Sequence, residues 1–102
     1  KAIALERVNA YRELWKISIR PFDAATRSAM AADFKDWYGA GGALFLSLNA
    51  AGSYFQVQKM LADVRVGEDA IRAELSRLRT ELKHDCGTYG RQEADTQILA
   101  AQ

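Results

Sequence analysis

Residues 36–47 constrain the fold of this chain more than any other stretch. The run reads Asp36-Trp37-Tyr38-Gly39-Ala40-Gly41-Gly42-Ala43-Leu44-Phe45-Leu46-Ser47 and holds three of the seven glycines and one of the two tryptophans. It is apolar without a helical period, while helical periodicity flanks it on both sides. The chain must therefore reverse here, and the expected fold is two groups of helices joined at a glycine-rich aromatic corner. Gly39 is expected at the left-handed C′ position that ends many helices, with Gly41 and Gly42 allowing the reversal. Leu44-Phe45-Leu46 is too short for a helix. As a lone strand it would leave backbone groups unpaired, so a tight turn or short bridge that refills the core is expected. Ser47 or Asn49 is a suitable cap for the next helix.

Before the corner, Ala4, Val8, Tyr11, Trp15 and Ser18 recur at four-three-four-three spacing, with Leu14 and Ile17 widening the stripe. That is one face of an amphipathic helix over about 2–19. Pro21 cannot continue it and restricts Arg20. Asp23 is a candidate N-cap for a second helix over about 24–38. Met30, Phe34 and Trp37 would face inward there, and Arg27, Asp33, Lys35 and Asp36 outward.

After the corner, Ala50, Tyr54, Val57, Leu61 and Val64 form one series, and Ile71, Leu75, Leu78 and Leu82 a second. The two series stay in phase except at Glu68, so one continuous helix over 49–84, about 50 Å long, is compatible with the pattern. A break at Val66-Gly67 is favoured. Glycine costs about 1 kcal/mol inside a helix, Glu68 and Asp69 suit a fresh N-terminus, and Lys83 and His84 suit a C-terminus. The helices are then expected at about 49–64 and 68–84. Asp85-Cys86-Gly87-Thr88-Tyr89-Gly90 reads as a turn with Gly87 as terminator, and 91–102 as a tail with a short, frayed helix.

Composition narrows the function. Eighteen alanines and a single proline favour helix. A chain of 102 residues is one domain, placed at 1–90 with the tail beyond it, and long enough for an unstapled core. A net charge of +1 disfavours a dedicated nucleic-acid binder. The single cysteine permits no internal disulfide and suits a reducing compartment. No apolar run approaches the roughly 18 residues that span a bilayer. The chain starts at Lys1, inside a helical pattern, so a segment upstream of it is expected.

Two stretches carry a resemblance. Leu14-Trp15 with Asp36-Trp37-Tyr38-x-x-Gly41-Gly42-x-x-x-Leu46-Ser47, and Ser76-x-Leu78-Arg79-Thr80-x-Leu82-x-x-Asp85-x-Gly87, are similar to small uncharacterised bacterial helical domains, some of which follow a membrane-spanning segment. With their surroundings the two stretches cover most of residues 11–90. The resemblance brings no known activity and transfers no site. It implies a membrane tether upstream of Lys1 and favours the break between the third and fourth helices.

The constellations that suggest chemistry are weak. Gly39-x-Gly41-Gly42 follows a helix rather than a strand and lacks the third glycine of a dinucleotide fingerprint. His84-Asp85-Cys86 is contiguous, whereas catalytic partners are normally assembled by the fold, and zinc would need further ligands that converge. Asp33 and Asp36 at i,i+3 are ordinary solvated charge. No catalytic, metal or cofactor residue is assigned, and no cofactor is expected.

The expected fold is all-α, an irregular bundle of about four helices. The expected function is non-catalytic: protein association, with a second copy of the chain or another protein as partner and no nucleic acid. The location is the cytoplasm or the cytoplasmic face of a membrane. The narrow Ile71, Leu75, Leu78 and Leu82 seam is the expected association face. The alternative is a small-molecule sensor using Trp15, Trp37 and Tyr38, whose indole N–H and phenol O–H groups could meet a ligand.

Overall fold

The computed structural model describes the backbone of residues 2–101 and the side chains of residues 5–87. Four α-helices, α1 (Ala2–Ser18), α2 (Arg27–Gly39), α3 (Leu48–Ala62) and α4 (Glu68–Ala101), follow one another, with a single 3₁₀ turn at Gly42–Leu44 between α2 and α3. The architecture is the all-α bundle that the periodicity implies, with no strand among the described residues. Each helix packs on its neighbours in sequence, and α4 closes the ring against α1. The contacts of Tyr54 with Phe34 and Gln58 with Ala31, and of Tyr11 with Asp85 and Ser18 with Arg79, show α2/α3 and α1/α4 running antiparallel. The molecule measures 55 × 26 × 22 Å. The long dimension follows from α4, whose 34 residues span about 50 Å at 1.5 Å per residue.

The core is built from Tyr11 and Leu14 of α1, Met30 and Phe34 of α2, Tyr54, Val57 and Leu61 of α3, and the α4 seam. In α1 the buried line is Tyr11, Leu14 and Ser18, so Val8 and Trp15 sit at its edge, half-buried. Ser18 is tolerated inside because its hydroxyl donates to the Trp15 carbonyl at 2.7 Å. The helix ends before Pro21, which has no N–H to continue it, whose ring clashes with the carbonyl four residues back, and which restricts Arg20.

Asp23 accepts from the Ala25 and Thr26 amides, and its own N–H donates to Thr26 Oγ1 at 2.9 Å, a reciprocal cap. The turn it opens is not yet α-helix. Thr26 N–H bonds back only three residues to Asp23 O, and α2 starts at Arg27 rather than 24.

Arg27 departs from expectation most. It is buried, not outward-facing, and its guanidinium donates to Val66 O at 2.7 Å, Met60 O at 2.9 Å and Asp63 O at 2.8 Å. The positive charge sits where the carbonyl end of α3 is partially negative, which is why no carboxylate is needed. It also ties down the loop that separates α3 from α4, and the expected break at Gly67 is present. Val64 lies in that loop. It is 91% exposed rather than continuing the buried series, because α3 has already ended at Ala62.

The corner is a corner, with different parts doing the turning. Gly39 lies within α2, and the left-handed residue is Gly41, at φ 124°. Gly42 has an ordinary φ but lies under the Trp37 ring, where an added Cβ would come within 2.5 Å of the indole. Leu44 does not refill the core and is 84% exposed on the 3₁₀ turn, while Phe45 and Leu46 do pack against it. Ser47 caps α3, its hydroxyl accepting from Ala50 N–H at 3.2 Å.

Gly87 does not terminate α4, and residues 85–90 are helix rather than turn. A terminating glycine needs a left-handed φ, which Gly87 lacks. The boundary expected at residue 90 therefore falls inside one continuous helix, and the Ile98-Leu99 side chains lie outside the described residues. Among the described residues no helix is long and apolar enough to cross a membrane.

Candidate functional site

The leucine seam of α4 is not an association face. Ile71, Leu75, Leu78 and Leu82 are each no more than 2% exposed, because α1 and α3 already cover them. Their narrow spacing reflects helix packing inside this bundle.

The aromatic hinge is likewise spent internally. Trp37 Nε1–H donates to the Ala10 carbonyl at 2.8 Å, joining α2 to α1. Its ring covers Gly42 and lies 6.0 Å from that of Tyr54. Tyr38 stacks on Tyr54 at 5.2 Å with a 13° interplanar angle. The Tyr54 hydroxyl donates to Phe34 O at 2.9 Å, and burial raises its pKa. A ligand on the Gly42 side of the Trp37 ring would have to displace the corner backbone. Trp15 is not part of this cluster. It faces a separate groove, so the three residues proposed to form one pocket do not converge.

That groove lies on the outer side of the α1/α4 pair. A cavity of about 230 Å³ opens there, lined by Val8, Tyr11, Arg12 and Trp15 from α1 and by Leu82, Lys83 and Cys86 from α4. The walls are apolar and the two cations stand exposed at the rim. Val8 and Trp15 share a line on α1 with Leu5 and Ile19, which are 63% and 57% exposed. Spacing of three, four, three and four along Leu5, Val8, Arg12, Trp15 and Ile19 makes this a second stripe on α1, rotated outward from the buried one.

The floor of the groove is held by Tyr11. Its hydroxyl lies 2.7 Å from both Phe45 O and Asp85 Oδ2, and its one proton serves one of them at a time. The Ser47 amide donates to the same oxygen at 3.3 Å, and Arg7 Nε donates to Phe45 O at 2.9 Å. Burial first, and then the hydrogen bond and negative charge of Asp85, hold the phenol proton well above its ordinary range. Tyr11 thus links α1, the corner and α4 at one point.

The reactive-looking residues are not arranged for chemistry. His84 and Cys86 are two apart on a helix and so face different ways, while Asp85 is engaged by Tyr11. Burial, then the Asp85 charge, pushes the Cys86 thiol up, away from the thiolate that a nucleophile requires. Asp33 pairs with Arg20 at 2.7 Å. Asp63 is lowered by hydrogen bonds from Arg65, the reverse of a raised general acid. On the α3/α4 side, Ser53 Oγ donates to Glu74 Oε2 at 2.8 Å, a satisfied pair. Among the described residues no group of three His, Cys, Asp or Glu could hold a metal ion.

Arg12, Lys83 and Cys86 are site residues that periodicity did not single out. The signal available was the offset of Leu5 and Ile19 from the Tyr11/Leu14 line. No protein-family model matches the chain, and neither the curated proteins nor the solved structures yield a match.

Proposed function

We propose that the chain is a non-catalytic helical domain that mediates protein association, and that its docking face is the outer side of α1 and α4. One observation carries this. A well-packed bundle leaves Leu5 and Ile19 exposed along α1, one beyond each end of an apolar groove that has Trp15 at its edge. Aligned, exposed apolar side chains at a concave surface favour a partner. Neither the hinge nor the thiol offers a competing site, for the reasons above.

The proposal includes a cytoplasmic setting, or the cytoplasmic face of a membrane with a tether upstream of Lys1. Its support is the basic excess of residues 1–20, five basic against two acidic, which agrees with the positive-inside tendency.

Static light scattering over a dilution series measures self-association. Co-purification from the native cell, followed by reconstitution from purified components, measures association with another protein. The expected result is a defined complex that Ile19→Ser weakens while the melting temperature holds, since Ile19 is exposed. A strict monomer that reconstitutes with no cellular protein would sink the proposal.

A further inference from the structure

The groove beside Trp15 is one of two separate hollows along the α1/α4 seam, with the Arg79–Ser18 O hydrogen bond between them. A second cavity, of about 390 Å³, lies between the C-terminal end of α1 and the N-terminal half of α4. On α4 the two linings use residues 72, 75, 79, 82, 83 and 86, which share one helical face. On α1 they use residues 8, 11, 12, 15, 18 and 19, again one face. Because the helices are antiparallel, the cavities fall in line along the same outer seam. From Val8 to Ile19 the seam is about 17 Å long, three turns of helix.

The charge of this seam is one-sided. The two linings contain Arg12, Lys83, Arg20, Arg72 and Arg79 and not one carboxylate. The polar cavity on the opposite side of α4 differs, with Glu74 and Glu81 beside Arg77 in its walls. The chain as a whole carries only +1, so the basic seam is a local separation of charge. Some of its cations are engaged. Arg20 pairs with Asp33, Arg72 with Asp69, and Arg79 donates to Ser18 O at 2.7 Å. Arg12 and Lys83, on opposite walls of the Trp15 cavity, make no ion pair among the described residues.

We propose that the α1/α4 seam docks an acidic amphipathic helix of about three turns, supplied by a partner protein. The proposal rests on the association reading above and names the chemistry of the partner. Large apolar residues of that helix, at i, i+3 or i+4, and i+7, fill the hollows beside Trp15 and Ile19. Carboxylates on its two flanks meet Arg12 on one wall and Lys83 on the other. The rim charges set partner choice and association rate, and the apolar anchors set residence time. A concave, three-turn seam suits a rod better than a flat bilayer surface, although both would value cations beside a tryptophan.

The test is selection of the whole chain against a displayed library of amphipathic helical peptides, apolar on one face and randomised between Glu, Lys and Gln on the flanks. The expected winners are Glu-flanked, shift the amide resonances of α1 and α4, and bind more weakly as salt rises. Arg12→Glu with Lys83→Glu should weaken them about tenfold, equivalent to about 1.4 kcal/mol, and turn selection towards Lys flanks. Both residues are exposed and, among the described residues, make no ion pair, so the variant keeps its fold, checked by circular dichroism. Lys-flanked, charge-indifferent or absent winners would overturn the proposal. So would winners that map elsewhere, tighter capture by phosphatidylglycerol vesicles than by any peptide, or a dimer closed through this seam. The light-scattering and reconstitution test judges association separately. A chain that binds a native partner undiminished by the double variant keeps the association reading and loses the seam.

Discussion

At the scale of single residues, two positions decide whether the corner holds. Tyr11 is the first. Its hydroxyl is the contact shared by α4, through Asp85, and by the corner, through Phe45 O and the Ser47 amide. Tyr11→Phe keeps the ring and removes that contact, leaving buried polar groups short of a partner. A loss of about 1–3 kcal/mol is expected by urea denaturation. A midpoint equal to wild type would show that the hydroxyl is idle. The same residue sets an alkaline limit. Its phenol pKa is raised on folding, so above the unfolded value of about 10 the folded state holds a proton that the unfolded chain has released. Stability is therefore full below about pH 10 and falls as pH rises beyond it. Tyr54, raised mainly by burial, adds to the fall. Tyr11→Phe should flatten the decline, and an equal slope in both proteins would refute the assignment. Gly42 is the second residue. Any Cβ there meets the Trp37 ring at about 2.5 Å, and that ring is itself fixed by Ala10 O. Gly42→Val should cost several kcal/mol and perturb Trp37 fluorescence. An unchanged melting temperature would mean the corner can open.

At the scale of elements, the helices were largely legible and their junctions only partly so. Period and punctuation placed four helices because Pro21, Ser47 and Gly67 each leave a local signature that tertiary packing did not override. Arg27 was illegible. An arginine among charged neighbours reads as solvent-facing, and only the fold brings the carbonyl ends of Met60, Asp63 and Val66 around it. Gly39 and Gly87 misled for a related reason. A glycine that ends a helix and one that a helix tolerates look alike until φ is known, and among the described residues only Gly41 is left-handed. The same ambiguity hid the groove. α1 is apolar over a wide arc, and periodicity could not say that Leu14 faces in while Trp15 stands at the edge. Arg27 supports the sharpest prediction at this scale. Arg27→Leu removes the charged donor shared by three carbonyls, of which Met60 O and Asp63 O keep backbone bonds from the Asp63 and Val66 amides while Val66 O loses its partner, and a loss of about 1–3 kcal/mol is expected. Arg27→Lys should restore little, since one ammonium cannot match the spread of a guanidinium. Hydrogen exchange should rise first at residues 63–67, the loop that Arg27 holds. Uniform acceleration across all four helices would instead indicate a simple loss of global stability.

At the scale of the whole molecule, the seam inside and the seam outside make opposite demands. Leu78 is fully buried between α4 and its neighbours, so Leu78→Ala removes core and creates a cavity. It should cost about 2–5 kcal/mol while leaving the groove chemistry intact in the fraction that remains folded. Ile19 is 57% exposed beyond the end of α1, and Trp15 is half-buried at the groove edge. Ile19→Ser should therefore change stability by no more than about 0.5 kcal/mol and yet weaken association, because it removes an apolar anchor from the outer face. The paired measurement is denaturation midpoint against complex formation for both variants. If α4's leucines were the association face, Leu78→Ala would abolish the complex at protein concentrations and temperatures where it is still folded, and Ile19→Ser would leave it untouched. If the outer side of α1 and α4 is the face, the pattern reverses. A bundle that spends its strongest apolar stripe on its own core can offer a partner only what that core leaves uncovered; along α1 that is the line from Leu5 to Ile19, while Leu44, Leu48, Phe55 and Val64 are exposed elsewhere.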